Sequence, residues 1–422
     1  MKHRYLWLYM LALAGCRVGE TGPTAPPTTP TTPARTEPMV RIGLKVDTAA
    51  VVLAATTAAQ LLDQQGNVVA NLGPNERWTF AARGDEVIAT SPTGSTSSSA
   101  GTPLRLQAAA NGWLMIGDKM YRGEMLLRRA GNARISLINV LEMEKYLLGV
   151  VPFEIGRAQG QLEAIKAQAI AARTYAIGGM GSRNALGFDF YATVADQVYG
   201  GASGEDTMVT RAVMETRGEI VTYQGEPIIA YYSSTCGGKT AAVAEVWPWR
   251  DSKPYLKSRS DMMPDGQTAY CQPSNRYRWT VTWSDDSLRH VLQNTIGGRL
   301  NNPNFTIQRI DDVRITGTTE SGRAEALNIV ADGNTYRIPG DSIRWVLRPR
   351  VSGSLNSSLI LELHALSPSP GSPVSRLEVQ GGGWGHGVGM CQFGAIGRAR
   401  AGQNYREILS AYYSDTEITR LY

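Results

Sequence analysis

The chain has 422 residues, 42% hydrophobic and 19% charged, which allows two or three folding units with real cores and excludes a disordered chain or a disulfide miniprotein. Its 45 glycines exceed an average usage of about 7% without a G-X-Y period, so collagen is excluded and many turns or close backbone approaches are expected. The formal charge of +5 falls to +3, 40 basic residues against 37 acidic, once Lys2 and Arg4 leave with the leader described next, too little for electrostatics to drive nucleic-acid binding.

Residues 2–15, KHRYLWLYMLALAG, combine a basic start, an apolar run from Tyr5 to Leu13 and small residues. This is the pattern of a secretory leader over residues 1–15, too short for a span of about 20 residues. The run ends in Leu13-Ala14-Gly15-Cys16, which resembles the lipobox of bacterial lipoproteins, whose cysteine is acylated and becomes the mature N-terminus. Cys16 is therefore the expected anchor. Residues 16–39 form the expected tether, because TGPTAPPTTPTTPARTEP cannot bury a core and prefers extended, polyproline-like states. The expected location is extracytoplasmic, lipid-anchored to a bacterial membrane.

From Val40 to Leu141 short alternating runs (VRIGLKV, AAQLLD, VVANL, EVIAT, LRLQAA, ISLINVLEM) are separated by turn residues and by a Ser/Thr/Gly loop at 91–102, predicting strands. Over 161–177 the period changes: Leu162, Ile165, Ala169, Ala172 and Ala176 fall on one helical stripe, with Gly178-Gly179 as the stop. A second helix is predicted over 206–216, then strands EIVTY and EPIIAYYSST around the turn Gln224-Gly225. Residues 276–365 read as strands with one helix near 285–296 and a hairpin at ADGNTYRIP, and a last helix is predicted near 404–412. The expected class is α+β, β-rich, with a few helices packed on sheets around a central groove.

Four segments carry residues suited to chemistry. Glu154 follows Val151-Pro152-Phe153 just before the alanine-rich helix, where a carboxylate can be presented to a cleft or can simply favour the helix dipole. Ala195–Gly201 (ADQVYGG) and Ser233–Thr240 (SSTCGGKT) set polar side chains beside glycine pairs, either ligand-approaching backbone or plain turns. Gly381–Gln392 (GGGWGHGVGMCQ) holds six glycines in nine residues around Trp384 and His386. Strand or helix propensity does not account for that cost in backbone entropy, and neither GxGxxG nor GxxxxGK[ST] is present.

The runs LEMEKYLLGVVPFEIG, LEAIKAQAIAARTYA, DQVYGG, YYSSTCGGKT, GGGWGHGVGMCQFGA and NYREILSAYYSDTEI, in this order, resemble the stage II sporulation protein D and amidase-enhancer family, with SGRAEALNI and YRIPGDSIRWVL fitting between. The resemblance covers roughly 40–422 and implies a β-rich N-terminal part over about 40–140, a catalytic core over about 141–275 and 373–422, and a β-rich subdomain over about 276–372. It implies a protein acting on peptidoglycan glycan strands, as a lytic transglycosylase or as a non-catalytic activator of a cell-wall N-acetylmuramoyl-L-alanine amidase. The family's catalytic acid falls on Glu154, although Glu-Ile-Gly stands here where the family has Glu-Met-Pro. Gln197, Tyr199, Ser234, Thr235, Trp384, His386 and Gln392 are the expected substrate contacts.

A lytic mechanism needs one carboxyl group, whereas ordinary glycoside hydrolysis needs two. Partial burial beside Phe153, Trp384 or Tyr199 is expected to raise the Glu154 pKa so that it holds its proton near neutral pH. With Cys16 acylated, Cys236, Cys271 and Cys391 remain, and a Cys236–Cys271 disulfide with Cys391 free near His386 is the simplest accounting. No cofactor is expected on that accounting. The alternative is zinc, as in relatives with two-Cys, two-His sites, on Cys236, Cys271, His386 and Cys391.

Overall fold

The computed structural model describes residues 36–99, 102–131 and 133–422; the expected leader, Cys16 and the tether as far as Arg35 lie outside them. Residues 39–142 build two largely antiparallel sheets. In the larger, the strand Arg134–Glu142 lies between Met39–Thr48 and Glu124–Ala130. Its alternating Ile135 and Leu137 are fully buried, as is Asn139, which donates to the carbonyls of Arg122 (2.8 Å) and Glu124 (2.9 Å). A buried amide is tolerated because its hydrogen bonds are made. The second sheet runs through Ala50–Ala55, Trp78–Arg83 and Glu86–Thr90 and closes a common core around Leu53, Phe80 and Leu106. Part of the predicted 91–102 loop is an edge strand, Thr96–Ser99, on Val87–Thr90; backbone pairing at a sheet edge outweighs the weak strand propensity of serine.

The predicted long helix runs from Leu162 to Gly179. Instead of one stripe it buries almost its whole girth between Ala164 and Thr174, because the helices Thr207–Glu215, Gln392–Arg400 and Tyr405–Tyr412 and the strand Glu219–Tyr223 pack around it. A helix apolar all round is a buried one. The helix ends on the expected Gly178-Gly179 pair, although neither glycine is left-handed. A Cβ on Gly179 would stand 2.7 Å from the Phe190 ring, so the glycine serves close packing, and the left-handed residue that ends the turn is Gly181 (φ +79°). The other helices fall where the pattern placed them, Thr207–Glu215 capped by Asp206 and Tyr405–Tyr412 by Asn404 in a capping box.

The run EPIIAYYSST is not one strand. Only Glu226–Pro227 and Tyr232–Ser233 are extended, and the latter pairs in parallel with Met390–Cys391. Residues beyond Arg278 add a second hydrophobic core around Trp283, Leu292, Leu327 and Leu377, built by the helix Asp285–Arg299 and two three-stranded sheets. The hairpin at ADGNTYRIP forms, with Ala331 facing Asn334 across Asp332-Gly333. The fold is β-rich α+β, and no helix among the described residues is long and apolar enough to cross a membrane.

Candidate functional site

Glu154 closes a four-residue helix, Val151–Glu154, rather than sitting on a loop. Pro152 suits a first helical turn because its φ is preset and its missing N–H has no partner to lose there, and Gly156 at φ +60° turns the chain away. The carboxyl group is half-buried. Its Oε1 accepts the Val198 N–H at 3.0 Å, and the side chains of Gln392 and Tyr232 face it. Three distant segments thus meet on one carboxyl group.

Burial raises the Glu154 pKa, while the hydrogen bonds from Val198, Gln392 and Tyr232 pull it down. Burial wins, because none of these partners is a full positive charge. The group keeps its proton to higher pH than a free glutamate and can donate it, then take one back.

The flanking segments assemble by backbone pairing. Tyr232 and Ser233 lie beside Met390 and Cys391, and Thr235 and Trp384 exchange hydrogen bonds of 3.0 and 2.8 Å. Trp384 is 43% exposed, with the Arg276 guanidinium 4.8 Å from its ring centre, and Ser234 is half-buried. His386 packs against Trp247 and Tyr231, 5.1 and 5.9 Å between centroids, with Nδ1 accepting the Val388 N–H at 3.0 Å. Burial lowers its pKa to about 4, so the ring is neutral at pH 7.

Three expected substrate contacts face inward instead. Gln197 accepts from Tyr146 Oη (3.0 Å) and donates to Tyr232 Oη (2.8 Å) and the Ala172 carbonyl (3.3 Å). Tyr199 donates to Asn139 Oδ1 at 2.8 Å. Thr235 shares a 2.8 Å hydrogen bond with the Ser274 hydroxyl. All three are buried, so their polar atoms are spent on supporting the site. Gln392 is also buried but faces Glu154, donating to Gln168 at 3.3 Å. Tyr232, Gln168 and Asp261 were not singled out above. A lone amide on an alanine-rich helix was a readable signal for Gln168; nothing local marks Asp261.

The three cysteines of the described residues gather in one place. Cys236, Cys271 and Cys391 are all free and buried, and the Cys236 and Cys271 sulfurs stand 3.6 Å apart, within reach of each other but unbonded. Cys391 joins them rather than His386, accepting the Cys236 N–H at 3.1 Å. His386 is no member of this group; the fourth corner is Asp261, since the Val388 amide and the Trp247 ring hold the imidazole elsewhere.

The glycine-rich loop needs its glycines. Gly387 has φ +78°, and a Cβ there would run into the Arg323 guanidinium, itself fully buried. Gly387→Ala is expected to lose about 1–3 kcal/mol through the strained φ and the clash, read as a lower urea midpoint with an unchanged slope.

Residues 131–223, spanning Glu154, the long helix and Val198, match the family described as stage II sporulation protein, and residues 256–389, spanning Trp384 and His386, match a domain of unknown function. Stage II sporulation protein D of Bacillus subtilis is 31% identical over 300 residues, 66% of this chain and 75% of that one. The chain belongs to the stage II sporulation protein D family. An uncharacterised relative in Brachyspira hyodysenteriae is 32% identical over 73% of this chain and 74% of its own. The amidase enhancer of Bacillus subtilis is 31% identical over 65% of this chain, which spans 40% of that longer protein. In this family member the segment with Glu154 and Val198 and the segment with Trp384 and His386 fall in different matched regions.

Proposed function

We propose that the chain is a peptidoglycan-remodelling lytic transglycosylase with Glu154 as both general acid and general base. What carries this reading is a half-buried glutamate whose pKa burial raises against the hydrogen bonds from Val198, Gln392 and Tyr232, none of them a carboxylate. Two-carboxylate hydrolysis calls for a partner acid; a lytic step takes its nucleophile from the substrate. Glu154 gives its proton to the glycosidic oxygen as the bond from the anomeric carbon breaks. The resulting carboxylate takes the proton of the 6-hydroxyl of the same muramic ring, whose oxygen closes on the anomeric carbon. The product is a 1,6-anhydro end, and Glu154 finishes protonated as it began.

Exposed Trp384 and Trp249 offer ring faces for sugars, and Ser234, His386 and Gln392 are the polar contacts retained in this reading. Anchoring at Cys16 on the extracytoplasmic face is part of it, and an intact mass of membrane-extracted protein without a diacylglyceryl cysteine at Cys16 speaks against that part. The similarity to the amidase enhancer supports a second reading, in which the same groove holds glycan while a wall amidase is activated. Peptide-free glycan strands incubated with the protein and analysed by mass spectrometry should yield anhydro-ended fragments. Intact strands together with a stimulated amidase favour the second reading.

The raised pKa has a stability consequence that does not depend on turnover. Between the unfolded and folded pKa values of Glu154 the native state binds more protons than the unfolded chain, so this group's contribution is full below the unfolded value and is lost as pH rises through the folded one. Glu154→Gln has no such titration. Its Tm relative to wild type should therefore climb from pH 4 to pH 8, and a constant difference across that window contradicts the burial argument.

A further inference from the structure

Cys236, Cys271, Cys391 and Asp261 come from three separated stretches of chain, are all buried, and bring one ligand atom each within 4.8 Å of one another. We propose that they form a structural zinc site of three thiolates and one carboxylate. The proposal does not rest on the transglycosylase reading.

The edges fit. A tetrahedral zinc ion bonded at about 2.3 Å to sulfur and about 2.0 Å to oxygen spaces two sulfurs about 3.8 Å apart and a sulfur and an oxygen about 3.5 Å apart. Here Cys236 Sγ lies 3.6 Å from Cys271 Sγ and 3.4 Å from Asp261 Oδ2. A disulfide would need about 2.05 Å and would leave a third buried thiol and a buried carboxylate facing the bond.

The surroundings are those of an oriented ligand set. Asp261 Oδ1 accepts from Tyr412 Oη at 2.7 Å and from Arg398 Nε and Nη2 at 3.3 Å each, which turns Oδ2 toward the sulfurs. Cys391 caps the helix Gln392–Arg400, and its sulfur accepts the Gly394 N–H at 3.3 Å as well as that of Cys236. Amide donors at a helix N-terminus favour a thiolate. Three thiolates, one carboxylate and a divalent ion leave two net negative charges, and two buried guanidiniums, Arg398 and Arg323, stand beside them. Arg323 donates to the Cys236 carbonyl at 3.1 Å. Without a cation the four deprotonated groups would be prohibitively costly to bury.

Three soft sulfur ligands select zinc over magnesium or calcium. The three thiol protons leave to solvent on binding, and four protein ligands close the coordination sphere, as in a structural rather than a catalytic site. The ion would tie the Tyr232–Cys236 and Met390–Gln392 segments to the 261–271 loop directly behind Gln392, which faces Glu154.

The test uses the full-length chain purified without reductant or chelator. Incubated with zinc chloride and desalted, it should carry about one zinc per chain by mass spectrometry of the metal. Cobalt in place of zinc should give a thiolate-to-cobalt charge-transfer band with the visible spectrum of a tetrahedral ion. Asp261→Asn and Cys391→Ser should each weaken zinc binding by about tenfold or more. Wild-type chain that retains less than about a tenth of an equivalent, or whose peptide map shows Cys236 linked to Cys271, overturns the proposal. Both readouts are taken on the wild type, so a variant that fails to fold leaves the decision intact.

Discussion

Glu154→Gln should lower glycan cleavage by about 10³–10⁴-fold, at the upper end of what a positioned proton donor and acceptor supplies, while strand binding changes only a few fold. The amide keeps the size of the side chain and an oxygen able to accept the Val198 N–H that now reaches Oε1 at 3.0 Å. It has no proton of suitable acidity to give and cannot become the base for the 6-hydroxyl, so both halves of the reaction are lost together. The loss should appear in kcat rather than in KM, because the removed interactions are made only in the transition state. Anhydro-muramic ends formed per minute, with strand binding measured separately by sedimentation, separate the two effects. Cleavage within tenfold of wild type defeats the catalytic assignment and leaves the binding reading ahead.

The largest expected loss of stability lies away from Glu154. Arg173, on the long helix, and Glu144 form a buried bidentate pair at 2.9 and 2.6 Å, their side chains 0% and 2% exposed. The remaining valences are used as well: Arg173 donates to the Glu219 carbonyl at 3.0 Å, and Glu144 Oε1 accepts the Gly218 N–H at 3.1 Å and the Tyr422 hydroxyl at 2.6 Å. One charge pair therefore ties together the helix Met143–Leu148, the long helix, the strand Glu219–Tyr223 and Tyr422. Glu144→Ala strands a guanidinium in the interior and should cost about 3–5 kcal/mol, with the urea midpoint falling accordingly. Glu144→Leu combined with Arg173→Met should cost far less than either single change, because no uncompensated charge is left. A single-variant loss below about 1 kcal/mol would mean that water reaches the pair.

Residues read in sequence located much of this. The motif order indicated the family, the change of period at 161 indicated the long helix, and Glu154, Val198's segment, Tyr232's segment and Gln392 do meet at one carboxyl group. Which polar atoms turn inward was not legible. Gln197 and Tyr199 carry the right groups in the right segment, yet Tyr146, Tyr232 and Asn139 consume them in the interior. The cysteines were legible only in part for a related reason: counting thiols draws Cys236 and Cys271 together, as the 3.6 Å between their sulfurs bears out, but Asp261 stands in no sequence pattern with Cys236, Cys271 or Cys391.

The sequence by itself determined what depends on neighbours along the chain. Helical and strand periodicity, the Asp206 and Asn404 caps and the Asp332-Gly333 hairpin are local matters of φ, ψ and side-chain spacing, legible within a window of a few residues. Only the tertiary structure decided how Glu154 and His386 titrate, why Gly179 is also a packing glycine, and which carboxylate stands beside the three thiols. Desolvation and hydrogen bonding act over a few ångströms of space, and the atoms within that distance come from segments more than two hundred residues apart, as when the Gln392 amide on one helix meets Gln168 on another.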